Sequence, residues 1–81
     1  MEKNYEKMIK RAHKLNKDFA LDMDSGMLGC CLHSAHQKGL FDVDKLNEFN
    51  DSNFLHDMCG LVRHWDFSDN SFSNTFLPRS S

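Results

Sequence analysis

Residues 50–79, NDSNFLHDMCGLVRHWDFSDNSFSNTFLPR, decide the fold, because a helical period gives way inside them to a period of two. Phe54, Leu55, Met58 and Cys59 cover one side of a helix. Asp51 or Ser52 is placed to start it and Gly60 to end it as a left-handed stop. His56 and Asp57 lie off the apolar side. From Leu61 onward Leu61, Arg63, Trp65 and Phe67 alternate with Val62, His64 and Asp66, and Phe72, Asn74 and Phe76 alternate with serines and Thr75. With Asp69 and Asn70 as a two-residue turn, Phe67 pairs with Phe72 and Arg63 lies opposite Phe76. One face of this hairpin is aromatic and the other polar. A lone hairpin is marginal in water, so the aromatic face is expected to pack on helices, with Pro78 ending the second strand.

Toward the N-terminus the period is helical throughout. Tyr5, Met8, Ile9, Ala12, Leu15 and Phe19 form one stripe with the lysines opposite it. Leu28, Cys31, Leu32 and Ala35 form a second stripe, with Asp24 placed to cap it, a role Asp22 would also serve, and Gly39 to stop it. A short third helix is capped by Asp42, with Phe41 before the cap placed to pack on Leu46. The expected class is α+β: helices at about 3–20, 24–38, 43–49 and 52–59, then a hairpin at about 61–67 and 72–77, in one domain spanning 1–81.

A chain of 81 residues buries only about 60 to 65 per cent of its unfolded surface, which disfavours a deep, walled active site. Three cysteines, two of them adjacent, make a poor disulfide framework and read as thiols in a reducing compartment. No apolar run approaches the roughly 20 residues that span a bilayer, and no signal-peptide pattern opens the chain. A cytoplasmic protein without membrane partners is expected, in the host cytoplasm if a phage encodes it. Net charge is −2 but uneven, +3 over residues 1–20 and −5 over the remainder. The ordinary reading of the basic segment is a solvated helix face with Glu6 and Lys10 as an i,i+4 pair.

Several constellations bear on chemistry. Cys30, His33 and His36 stand three apart on the second helix, as do His56 and Cys59 on the fourth, and thiolate with imidazole is the ligand set zinc prefers. Structural zinc more often takes ligands from knuckles and loops, and Cys31 and Cys59 sit on apolar stripes, where cysteine acts as a small hydrophobe. No metal or other cofactor is therefore assigned. The His56-Asp57 doublet resembles that of metal-dependent phosphohydrolases, but those need a larger bundle and further ligands. Its structural role would be a hydrogen bond to the backbone entering the hairpin. A thiol nucleophile needs an electropositive, partly exposed setting, and no loop motif supplies one. Phosphate-cradling glycine loops are absent. Trp65, Phe67, Phe72 and Phe76 read as core before they read as base-stacking platforms. Gly26, Gly29 and Cys30, with His33, make a small-residue face on the second helix, and each glycine in a helix costs about 1 kcal/mol against alanine. Close packing against the chain's own backbone is the expected reason, a partner groove the other.

The segment AHQKGLFDVDKLNEFNDSNFLHDMCGLVRHW (35–65) and the ending FLPR (76–79) resemble a family of small uncharacterised proteins of bacteriophages and gut bacteria. The matching positions are His36, Gly39, Asp42, Leu46, Phe54, His56, Asp57, Gly60, His64, Phe76, Pro78 and Arg79, within residues 20–79. The chain departs from that family at Ser68-Asp69-Asn70-Ser71, which replaces a Thr-Gly turn, and in its Gly- and Cys-rich second helix. The resemblance implies a phage or mobile-element context and no reaction.

The expected function is non-enzymatic: a small accessory protein that binds a host or phage protein and inhibits it by occlusion, of anti-CRISPR or other anti-defence type. The partner-binding candidates are Gly26, Gly29, Cys30 and His33, with Lys10 and Lys14. The acidic residues Asp42, Asp44, Glu48 and Asp51 offer a second surface, as a polyanion mimic. The alternative is a zinc-stabilised or basic-helix nucleic-acid module with Lys3, Lys7, Lys10, Lys14 and Lys17 on phosphates. A homodimer through a half-covered aromatic face is a further expectation.

Overall fold

Four helices, α1 (Glu2–Asp18), α2 (Ser25–Gln37), α3 (Val43–Glu48) and α4 (Asp51–Arg63), precede an antiparallel pair, β1 (Trp65–Asp66) and β2 (Ser71–Phe72). The structure, a computed structural model, describes residues 2–66 and 68–72. The expected α+β class is therefore found, with the helices close to their expected bounds.

Each helix turns its apolar stripe to one shared core. Met8, Ala12 and Leu15 come from α1, Leu28, Cys31, Leu32 and Ala35 from α2, Leu46 from α3, and Phe54, Met58 and Leu61 from α4. Trp65 and Phe72 close the core from the strands, their rings edge to face at 5.0 Å. The aromatic face of the hairpin is thus spent on the helices wherever it is described.

Asp24 and Asp42 cap α2 and α3 as expected, accepting from the backbone N–H of Met27 and from those of Asp44 and Lys45. Gly39 has φ +70° and stops α2 in a Schellman motif, with Leu40 N–H donating to Ala35 C=O at 2.9 Å. The same motif ends α1, where Leu21 N–H donates to Asn16 C=O at 3.0 Å, but the left-handed residue there is Ala20 at φ +50°. Asn16 also holds the following turn. Its Nδ2 donates to Met23 C=O at 2.9 Å, and its Oδ1 accepts from Met23 N–H at 3.1 Å.

Three details of residues 50–79 differ from the sequence reading. The cap of α4 is Asn50, whose Oδ1 accepts from Asn53 N–H at 2.8 Å, so neither Asp51 nor Ser52 is the cap. Gly60 does not stop the helix, which runs on to Arg63. The cause is Leu61: it continues the stripe of Phe54 and Met58, and burying a leucine gains about 1.5–3 kcal/mol against roughly 1 for a glycine in the helix. The first strand accordingly starts at Trp65, and the pairing is Trp65 with Phe72 and Asp66 with Ser71. Phe72 therefore faces Trp65, not Phe67. Asp66 sets this register, because its Oδ1 accepts from Ser68 N–H at 2.9 Å and Asp69 N–H at 3.3 Å, an Asx turn that closes the strand early. Phe76, Pro78 and the expected strand beyond Phe72 lie outside the described residues.

Candidate functional site

Because α2 buries Leu28, Cys31, Leu32 and Ala35, the opposite stripe of Gly26, Gly29, Cys30 and His33 is turned outward. Gly26, Cys30 and His33 are exposed and Gly29 half-exposed. The two glycines differ in cause. A Cβ on Gly26 would stand 3.3 Å from Asp24 Oδ1, the oxygen that caps the helix, so glycine there leaves room for the cap. A Cβ on Gly29 meets nothing within 4 Å outside its own stretch of helix. Close packing against the chain's own backbone, the expected reason for Gly29, is therefore corrected: no other element among the described residues comes within 4 Å of that Cβ position.

The neighbouring thiols are chemically unlike. Cys31 is fully buried, and burial, followed by the adjacent Cys30, pushes its thiol from 9.0 up to about 12. Cys31 is thus a protonated core side chain, while Cys30 lies at the surface.

The histidine and cysteine pairs do not converge. Among the described residues no three His, Cys, Asp or Glu side chains are placed to hold a metal ion, and every candidate zinc ligand is described. His36 is instead stacked beside Tyr5 at 4.7 Å and Phe41 at 5.9 Å, at the packing of α1 on the end of α2. Partial burial raises the Tyr5 phenol above its usual range.

The acidic residues proposed as a polyanion mimic are largely engaged within the chain. Asp42 caps α3, Asp44 accepts from Asn4 Nδ2 at 3.1 Å, and Asp51 accepts from Arg11 at 2.8 Å. Arg11 is the residue whose role the sequence did not disclose. Its guanidinium donates to Leu46 C=O at 3.2 Å and to Phe49 C=O at 2.6 Å, while stacking on the Phe54 ring at 4.6 Å. One cation thereby satisfies carbonyls at the end of α3 and pairs with the Asp51 carboxylate in the first turn of α4. A single arginine on the flank of an otherwise lysine-bearing helix is the only sequence trace of it.

The joint between α4 and the hairpin is likewise not held by Asp57. Its Oδ2 is buried without a hydrogen-bond partner among the described residues, as is Nε1 of Trp65. Lys10 and Lys14 are exposed on the side of α1 opposite the buried Met8, Ala12 and Leu15. Lys14 hydrogen-bonds Asp18 Oδ2 at 2.7 Å, and that carboxylate raises the lysine's pKa. The expected Glu6–Lys10 pair does not form. No helix among the described residues is long and apolar enough to cross a membrane.

Four helices with a C-terminal two-stranded hairpin define a small α+β domain, with an outward small-residue stripe on α2. The chain belongs to DUF6874, a family of unknown function whose profile matches residues 1–81. That match takes in the first helix as well as the segment 20–79. No curated protein and no solved structure matches the chain.

Proposed function

We propose that this protein is a non-enzymatic binding domain that docks a host or phage protein on the outer face of α2 and inhibits it by occlusion. The finer form of the proposal is an anti-CRISPR or other anti-defence accessory protein of a phage or mobile element, a setting taken from the resemblance of residues 20–79. The observation that supports docking on α2 is Gly29. It weakens the helix by about 1 kcal/mol relative to alanine, and no described neighbour uses the space it leaves. A partner surface approaching the backbone between Gly26 and His33 would use that space.

Gly29→Arg is the test, since a long side chain there meets no described neighbour and arginine is a good helix former. The tagged wild type is expected to retain one protein from host lysate, and the variant, with unchanged circular dichroism and melting temperature, to lose it. Equal recovery by both, or reproducible failure of the wild type to enrich any protein, refutes the proposal.

A further inference from the structure

The outer side of α1 carries a second surface, with a different chemistry. Lys3, Lys7, Lys10, Lys14 and Lys17 are all exposed. At 100° and 1.5 Å per residue they fall within an arc of about 80° and form a straight row of about 21 Å, nearly opposite the buried Met8, Ala12 and Leu15. No acidic residue stands inside the arc; Glu6 and Asp18 flank it. Of the five ammonium groups only Lys14 has a carboxylate partner among the described residues.

A solvated helix face is ordinarily stabilised by alternating charge. Here the successive pairs Lys3/Lys7, Lys7/Lys10, Lys10/Lys14 and Lys14/Lys17 are i,i+3 or i,i+4 neighbours of like charge, each destabilising by about 0.2–0.5 kcal/mol. Lys3 also sits in the first turn, where the helix dipole disfavours a cation. The row thus weakens the helix that carries it and, Lys14 apart, neutralises no carboxylate among the described residues. An external polyanion with regularly spaced charge would relieve both.

The net charge of −2 does not oppose this. The molecule measures 28 × 26 × 22 Å, and the Debye length at physiological salt is about 8 Å, so carboxylates on the far side are screened from the row. A membrane fits less well, because an interfacial helix inserts its apolar face and that of α1 is committed to the core. The row is all lysine, flexible point charges, and lacks the planar guanidinium and amide groups that read base edges as a fork.

From this geometry we infer that the outer face of α1 binds the phosphate backbone of a nucleic-acid duplex, independently of base sequence. With Lys14 held by Asp18, four lysines remain to displace counterions. The logarithmic salt slope is then about −3.5, a loss of affinity of roughly a hundredfold between 50 and 200 mM salt.

Fluorescence anisotropy of the full chain with labelled duplexes of about 20 base pairs and unrelated sequence tests this, with anionic vesicles as a separate arm. The combined variant Lys3→Gln, Lys7→Gln, Lys10→Gln is expected to bind at least tenfold more weakly at 50 mM salt, with a slope near −1 and an undiminished melting temperature. The control Lys38→Gln, Lys45→Gln, off the row, is expected to bind with less than a twofold change. Absence of duplex binding by the wild type at low salt, a shallow slope, an equal loss in the control, or binding to vesicles alone overturns the inference.

Discussion

The two sides of α1 use their cations in opposite ways. On one flank Arg11 has its donors on the carbonyls of Leu46 and Phe49 and on Asp51. Across the outer face four lysines have no ion-pair partner among the described residues. The difference separates architecture from surface. Polar groups at the joints between helices are consumed by backbone atoms that would otherwise be unsatisfied, whereas the lysines on the outer face of α1, Lys14 apart, have no such partner among the described residues.

The largest effect is expected where the joint is most heavily loaded. Arg11→Ala removes charge-assisted hydrogen bonds to the end of α3, the Asp51 pair and the stacking on Phe54, and is expected to cost about 2–4 kcal/mol in urea unfolding. Arg11→Lys recovers little, because an ammonium cannot span these acceptors as a fork or stack on the ring. Lys10→Ala, one residue away, is expected within about 0.5 kcal/mol of the wild type. If Arg11→Ala costs under about 1 kcal/mol, the contrast between the two flanks is lost.

Asn16 tests the same idea with a neutral side chain. Asn16→Ala removes two hydrogen bonds to the backbone of Met23 and is expected to cost about 1–2 kcal/mol. Asn16→Asp is expected to be worse than alanine at neutral pH, since a carboxylate oxygen would replace the donor that faces Met23 C=O at 2.9 Å. If the two variants unfold at the same urea concentration, the donor half of the clamp is refuted.

How far the sequence discloses this molecule follows the same division. The apolar stripes, the Asp24 and Asp42 caps and the Gly39 stop were legible because each rests on local spacing within a helix turn. The end of α4 was not: a glycine signal competed with one more buried leucine, and tertiary burial prevailed. The hairpin register was missed by two positions because Asp66, rather than Asp69-Asn70, begins the turn. Arg11 and Asn16 act on partners 38 and 7 residues away, the first beyond the reach of any local pattern. Of the candidate site, the small-residue stripe was legible; the open space beside Gly29 was not, since it depends on where other helices lie.

The glycines give the next contrast. Gly29→Ala is expected to stabilise the protein by about 1 kcal/mol, because the added methyl meets no described neighbour and alanine is the better helix former. Gly39→Ala, at φ +70°, is expected to destabilise by about 1 kcal/mol. Thermal unfolding of the pair checks both signs. A destabilising Gly29→Ala would restore intramolecular packing as the reason for that glycine and remove the support for docking on α2.

The smallest effect reverses the second of these. Both helix stops have the same hydrogen bonding: Ala20 N–H donates to Lys17 C=O and Gly39 N–H to His36 C=O, each at 3.1 Å, alongside the longer-range bonds from Leu21 and Leu40. Only the left-handed residue differs. An L side chain at φ +50° costs roughly 1 kcal/mol, and glycine removes that strain while adding unfolded-state freedom worth about 0.4–1 kcal/mol. Ala20→Gly is therefore expected to stabilise the protein by at most about 0.5 kcal/mol, a rise of a few degrees in melting temperature for a chain this short. A fall of that size would mean that the turn is held by Asn16 and Met23 tightly enough for Ala20 to bear its conformation without cost. The Asn16→Ala, Ala20→Gly double variant decides between the two: additive changes place the strain at Ala20 alone, and coupling places it in the clamp.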